Sequence, residues 1–110
     1  MDKKFDYIKL VADYARGLKS QFKIDKVILF GSAVSGKMNY HSDLDVIIIS
    51  SDFKNIEFIK RLQLLTIARR ADARKIPMDI VGYTPNEFEN LAKESAVVSE
   101  AKEKGKEIDF

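Results

Sequence analysis

Phe5, Ile8, Ala12, Ala15, Leu18 and Phe22 recur at the spacing of one helical face, with Lys, Asp and Arg between them, and predict a first amphipathic helix over about residues 4–22. Gly17 and the polar Lys19-Ser20-Gln21 weaken its far end. Val27-Ile28-Leu29-Phe30 then reads as a short buried strand, and residues 44–49 as a second, whose β-branched run from Val46 suits burial on both faces in the centre of a sheet. Between them, residues 31–42 follow neither period and leave room for one helical turn after Ser32. Ser51-Asp52 supplies turn and cap chemistry, after which Phe58 or Ile59, Leu62, Leu65, Ala68 and Ala71 mark a second helix that ends before Pro77. Met78 to Tyr83 is a third strand, with Asp79 on the face opposite Met78 and Ile80. Thr84, Pro85 and Glu87 then fit the N-cap, first helical position and N3 of a capping box, and start a third helix carrying Phe88, Leu91, Ala92 and Val98 inward. Residues 100–107 are charged and nearly without core residues, so one domain over 1–110 is expected, with 1–99 as its core and 100–110 as a charged tail ending in Ile108-Asp109-Phe110.

Composition adds mainly exclusions. A chain of 110 residues, 45% hydrophobic and 33% charged with five glycines and two prolines, is globular and long enough for one core, but not for an added substrate-binding domain. Nineteen basic against seventeen acidic residues leaves +2, too weak a balance to argue for direct nucleic-acid binding or an anionic membrane. Without cysteine there is no disulfide framework and no zinc-cysteine site, and without an apolar leader or a long apolar stretch the cytoplasm is the expected compartment.

The chemistry concentrates in Gly31-Ser32, a gap of ten residues, and Asp43-Leu44-Asp45. Strand alternation puts Asp43 and Asp45 on one face, where like charges repel and burial raises the cost further, so a divalent cation is the economical explanation. A Gly-Ser turn offering backbone N–H groups suits the phosphates that such a cation carries, which suggests a metal-nucleotide site. Gly31 to Lys37 also fits G-x-x-x-x-G-K, most of a P-loop. Met38 stands where that motif needs a magnesium-holding hydroxyl, and residues 39–42 do not open an amphipathic helix, so this reading is set aside.

Gly31-Ser32, the ten-residue gap, Asp43-x-Asp45 and a later Asp79 in Met78-Asp79-Ile80-Val81 together resemble the nucleotidyltransferases of the DNA polymerase beta superfamily, and more narrowly the minimal nucleotidyltransferases. The resemblance covers about residues 27–89. It implies an α/β fold, a small mixed β-sheet with helices packed on one face and the acids on the open one. It implies that Asp43, Asp45 and Asp79 are catalytic and hold magnesium, two ions about 3.5–4 Å apart, with Asp79 also assisting deprotonation of an acceptor hydroxyl. Gly31 and Ser32 would hold the triphosphate, and Gly36 matches the second glycine that lets the backbone turn close to it. Many relatives read Gly-Ser-x-Ala-Arg-Gly. Here Val34 and Ser35 precede Gly36, and Lys37 is the nearby cation that would substitute.

The implied function is magnesium-dependent transfer of a nucleoside monophosphate, AMP from ATP, to a hydroxyl on a partner protein. In the resembling family, many members are antitoxins that adenylylate a HEPN-type toxin. Two other classes are kept open: a non-catalytic module that neutralises its partner by contact, and a transferase acting on a small molecule such as an aminoglycoside. Self-association is left open too. The remaining polar candidates have plainer readings. His41 suits an exposed loop, Tyr40 and Tyr83 surface packing, and Arg69, Arg70, Arg74 and Lys75 a solvated helix end where cations favour the macrodipole.

Overall fold

The structure, a computed structural model, describes residues 6–36, 43–69 and 76–110. Helix α1 spans Tyr7–Leu18, with Asp6 accepting the Lys9 N–H as its N-cap. Strand β1 (Lys26–Phe30) leads into a four-residue helix α2 (Ser32–Ser35), and β2 covers Leu44–Ile49. A 3-10 turn at Ser51–Asn55 precedes α3 (Phe58–Ile67) and β3 (Met78–Tyr83), and α4 (Pro85–Glu94), α5 (Ala96–Lys104) and the two-residue strand β4 (Lys106–Glu107) complete the chain. The expected capping box is formed: Thr84 accepts the Glu87 N–H, and the Glu87 side chain accepts the Thr84 N–H.

The strands form one mixed sheet in the order β3-β2-β1-β4. β1 runs antiparallel to both of its neighbours, while β2 and β3 run parallel, joined through α3. On one face Val27, Leu29, Leu44, Val46 and Ile48 pack against α1, α3 and Phe53 of the 3-10 turn. On the other, Ile28, Ile47 and Ile49 meet Phe88 of α4 and Val98 and Ala101 of α5. The sheet is therefore the small mixed α/β assembly expected, but its second face is not open throughout: α4 and α5 cover it over the middle and far ends of the strands. The reason lies at Ser95. Its extended backbone (φ −103°, ψ 123°) ends α4, and its hydroxyl accepts the Val98 N–H at 3.3 Å to start α5, so the expected single helix breaks into two that fold back over the sheet.

The crossover between the parallel strands is closed by Arg61, only 4% exposed. Its guanidinium donates to the carbonyls of Phe53, Ile56 and Gly82 and to both oxygens of Glu87, and lies over the Phe53 ring. One side chain thus ties the 3-10 turn, α3, β3 and α4 together. The neighbouring Arg61 holds the Glu87 carboxyl below its ordinary range.

The charged end of the chain departs from expectation. Residues 100–104 belong to α5, and Lys106 and Glu107 pair with Leu29 and Ile28 as an edge strand. Ile108 donates its N–H to the Val27 carbonyl at 2.8 Å and is 2% exposed within the α1 core. An edge strand exposed on both faces tolerates Lys and Glu, so its charge hid its pairing. Ile108→Ala is expected to cost about 2–4 kcal/mol of unfolding free energy, read by urea titration; a loss below about 0.5 kcal/mol would return these residues to the status of a tail.

Candidate active site

Three strand ends meet at one edge of the sheet. β2 and β3 begin there, and β1, running the other way, ends there. In register, Asp45 stands between Phe30 of β1 and Asp79 of β3. Residues in register share a face, so Phe30, Asp45 and Asp79 lie together, with Asp43 two residues ahead of Asp45 by alternation. Asp43 and Asp79 are exposed and Asp45 is half-buried. The structure thus brings all three predicted acids to one end of the second face, beyond the Ile28, Ile47 and Ile49 positions that α4 and α5 cover among the described residues.

The charges act on one another. Burial, then the negative charges of Asp79 and Asp43, push the Asp45 carboxyl above its ordinary value. Among the described residues no three His, Cys, Asp or Glu side chains form a ready-made metal cage. The donor set still suits magnesium, which is usually held by one or two carboxylates together with substrate phosphate oxygens.

Gly31 couples the turn to the acids. Its backbone has φ +77°, and a Cβ built on it would collide with Asp45 Oδ2. The chain therefore leaves β1 in a conformation that only glycine adopts freely, pressed against a carboxylate. Its carbonyl accepts the N–H groups of Val34 and Ser35, which winds α2 directly off the strand. Ser32 opens that helix, and Gly36, at φ +81°, ends it in the left-handed region. Lys37, expected beside the phosphates, lies outside the described residues, as do Met38, Tyr40, His41, Arg70, Arg74 and Lys75. A P-loop is excluded by topology as well, since its strand lies in a parallel sheet and β1 has antiparallel partners on both sides.

A family model for the nucleotidyltransferase domain matches residues 11–108. The chain belongs to this nucleotidyltransferase family. Nucleotidyl transfer is thereby its general activity, as the resemblance to the polymerase beta superfamily implied. A crystal structure from Sulfolobus solfataricus, of a protein provisionally assigned as a nucleotidyltransferase, superposes with a TM-score of 0.59 at 20% identity over 76% of this chain and 71% of that one, and so shows the fold. No curated protein matches the sequence. No helix among the described residues is long and apolar enough to cross a membrane.

Sequence reasoning missed the wall beside this edge of the sheet. Phe30, Gly31, Val34 and Ser35 face Val97, Glu100, Ala101 and Lys104 of α5 across a cleft of about 320 Å³. The signal was faint: an apolar Val97 at a helix position that solvent reaches.

Two outcomes follow from this geometry. Gly31→Ala is expected to lose about 2–3 kcal/mol by combining a positive φ with a carboxylate clash, whereas Gly36→Ala, with nothing within 4 Å of the added carbon, loses only about 1 kcal/mol. Equal losses in urea titrations would remove the clash from the explanation. For Asp45, the folded protein holds the carboxyl proton more tightly than the unfolded chain does. Its charged form therefore opposes folding, and metal-free stability falls as pH rises from the ordinary carboxylate range through the raised native value. Asp45→Asn removes that repulsion and should raise the melting temperature at pH 7 and flatten the fall, followed by circular dichroism.

Proposed function

We propose that this nucleotidyltransferase moves AMP from magnesium-bound ATP to a hydroxyl on a partner protein. The observation that carries the reading is the register that sets Asp45 beside Asp79 at the strand end where Gly31 turns. Asp43 and Asp45, with Asp79 completing the set, would hold one or two magnesium ions, which supply charge neutralisation at the phosphates when bound. Gly31 and Ser32 position the triphosphate, and Gly36 lets the chain turn beside it, with Lys37 as the nearby cation. The acceptor oxygen bonds to the α-phosphorus as the bond from that phosphorus to the bridging oxygen of the β-phosphate breaks. Pyrophosphate leaves, and Asp79 takes the hydroxyl proton. Among the described residues the acids lie at the ends of their strands, with Asp43 and Asp79 exposed, which suits an acceptor presented by another protein. On this reading the partner is a HEPN-type toxin, the modification silences it, the chain is an antitoxin, and the reaction takes place in the cytoplasm.

A second reading, neutralisation by contact alone, is favoured by one observation. α2 carries no cation where many relatives place an arginine, since Val34 and Ser35 fill those positions. Incubation with α-labelled ATP, magnesium and the co-purifying partner separates the two. We expect label on the partner, reduced at least about 1,000-fold by Asp43→Ala and lost without magnesium. Partner inhibition that survives Asp43→Ala together with Asp45→Ala would instead establish contact as the cause. Label on an aminoglycoside in place of the partner would reassign the acceptor.

A further inference from the structure

We infer that the cleft between α2 and α5 is the pocket for the base of the bound nucleotide, with Val34 and Val97 as its apolar walls and Glu100 and Lys104 reading the polar edge of the ring. This rests on the proposed nucleotide site and adds to it the part of the substrate that the acids and the Gly-Ser turn leave unassigned.

The argument starts from continuity. Phe30 and Gly31 belong both to the acid edge, where Phe30 is in register with Asp45, and to the cleft lining. A nucleotide whose phosphates lie along the Gly31 turn thus has this cleft directly beside its remaining atoms. Size agrees. At about 320 Å³ the cleft stands at the lower end of small-molecule sites, about 300–1,000 Å³, and admits a base with its sugar while leaving the phosphates outside.

The chemistry of the walls agrees too. Val97 is 65% exposed and Val34 39%, so two apolar side chains flank the opening without burial of their own. A flat ring inserted there shields both, along with the partly exposed Phe30. Glu100 and Lys104 stand one helical turn apart on α5 and both line the cleft. One offers acceptors and the other donors, the pair of complements that the mixed donor and acceptor edge of a base requires. Another cleft among the described residues, about 470 Å³ beside Phe58 and Tyr83, lies at the opposite end of β3 from Asp79 and has no such continuity with the acids.

Titration calorimetry with magnesium and each of ATP, GTP, CTP and UTP, and in parallel with inorganic tripolyphosphate, tests the inference. Val97→Glu places a charge on the wall at a position already open to solvent, so the fold is retained, and a matching thermal melt verifies this. The tightest nucleotide should bind this variant at least about tenfold more weakly, while tripolyphosphate affinity stays within about twofold of wild type. Should Val97→Glu prove unstable, Val34→Glu on the facing wall makes the same demand. Unchanged nucleotide affinity in the variant, with binding lost in Asp45→Asn, would overturn the base pocket and leave the nucleotide site standing. Equal weakening of nucleotide and tripolyphosphate would overturn it as well, by assigning the effect to charge alone. Wild-type protein that binds none of the five probes would overturn the nucleotide site and the pocket together.

Discussion

The parallel pairing of β2 with β3 is the constraint on which the rest of the structure depends. It places two carboxylates, Asp45 and Asp79, side by side in register, an arrangement that repels in the absence of a cation. What holds it is the apolar run that follows on β2. Val46, Ile47, Ile48 and Ile49 are buried on alternate faces against separate helix layers, so slipping the strand by one residue would turn every one of them to the wrong side. Arg61 fixes the same register from the crossover, because its bonds to the Phe53, Ile56 and Gly82 carbonyls and to Glu87 set where β3 lies relative to the turn that left β2. The repulsion is local and the restraint is distributed. Like charges can be held side by side only where a core elsewhere restrains them.

Gly31 shows that the Gly-Ser turn and the acid pair, separated in sequence by ten residues, are a single contact in space. Asp45 Oδ2 occupies the volume that a Cβ at position 31 would need. The glycine is thus demanded twice, once by its positive φ and once by the carboxylate, and the two demands come from different strands. This gives a steric reason for the two halves of the pattern to occur together: whatever side chain replaced the glycine would displace the acid.

Much of this was legible in the sequence because the signals were local. The three strands, the capping box at Thr84 and the shared face of Asp43 and Asp45 follow from alternation, cap chemistry and spacing within a few residues. Nonlocal features were not legible. Nothing near Lys106 and Glu107 announces a strand, because an edge strand with both faces in water has no apolar alternation to display, and its anchor is one residue, Ile108, buried against Val27 and α1. The break at Ser95 was hidden for a different reason. Val98 fits the apolar spacing of the preceding helix well enough to suggest continuation, and only the return of α5 over Ile28 shows that Ser95 acts as a cap. The second face consequently looked open in a reading that could not foresee its cover.

That cover changes how the edge of the sheet can be used. α5 reaches β1 because β4 and Ile108, which follow it, are fastened to the other side of the same strand, so the C-terminal residues act as an anchor for the helix. Among the described residues, α4 and α5 lie over the middle of the face, and the wall formed by α5 and α2 stands beside the acids. The acids of β2 and β3 thus stand to one side of this edge, and Phe30, Val34 and Val97 to the other. Ala101, a buried α5 residue packed with Ile28 and Ile47, lies behind that second side. The edge is divided by strand: β2 and β3 carry the carboxylates, and β1 with the helix packed against it carries the apolar wall.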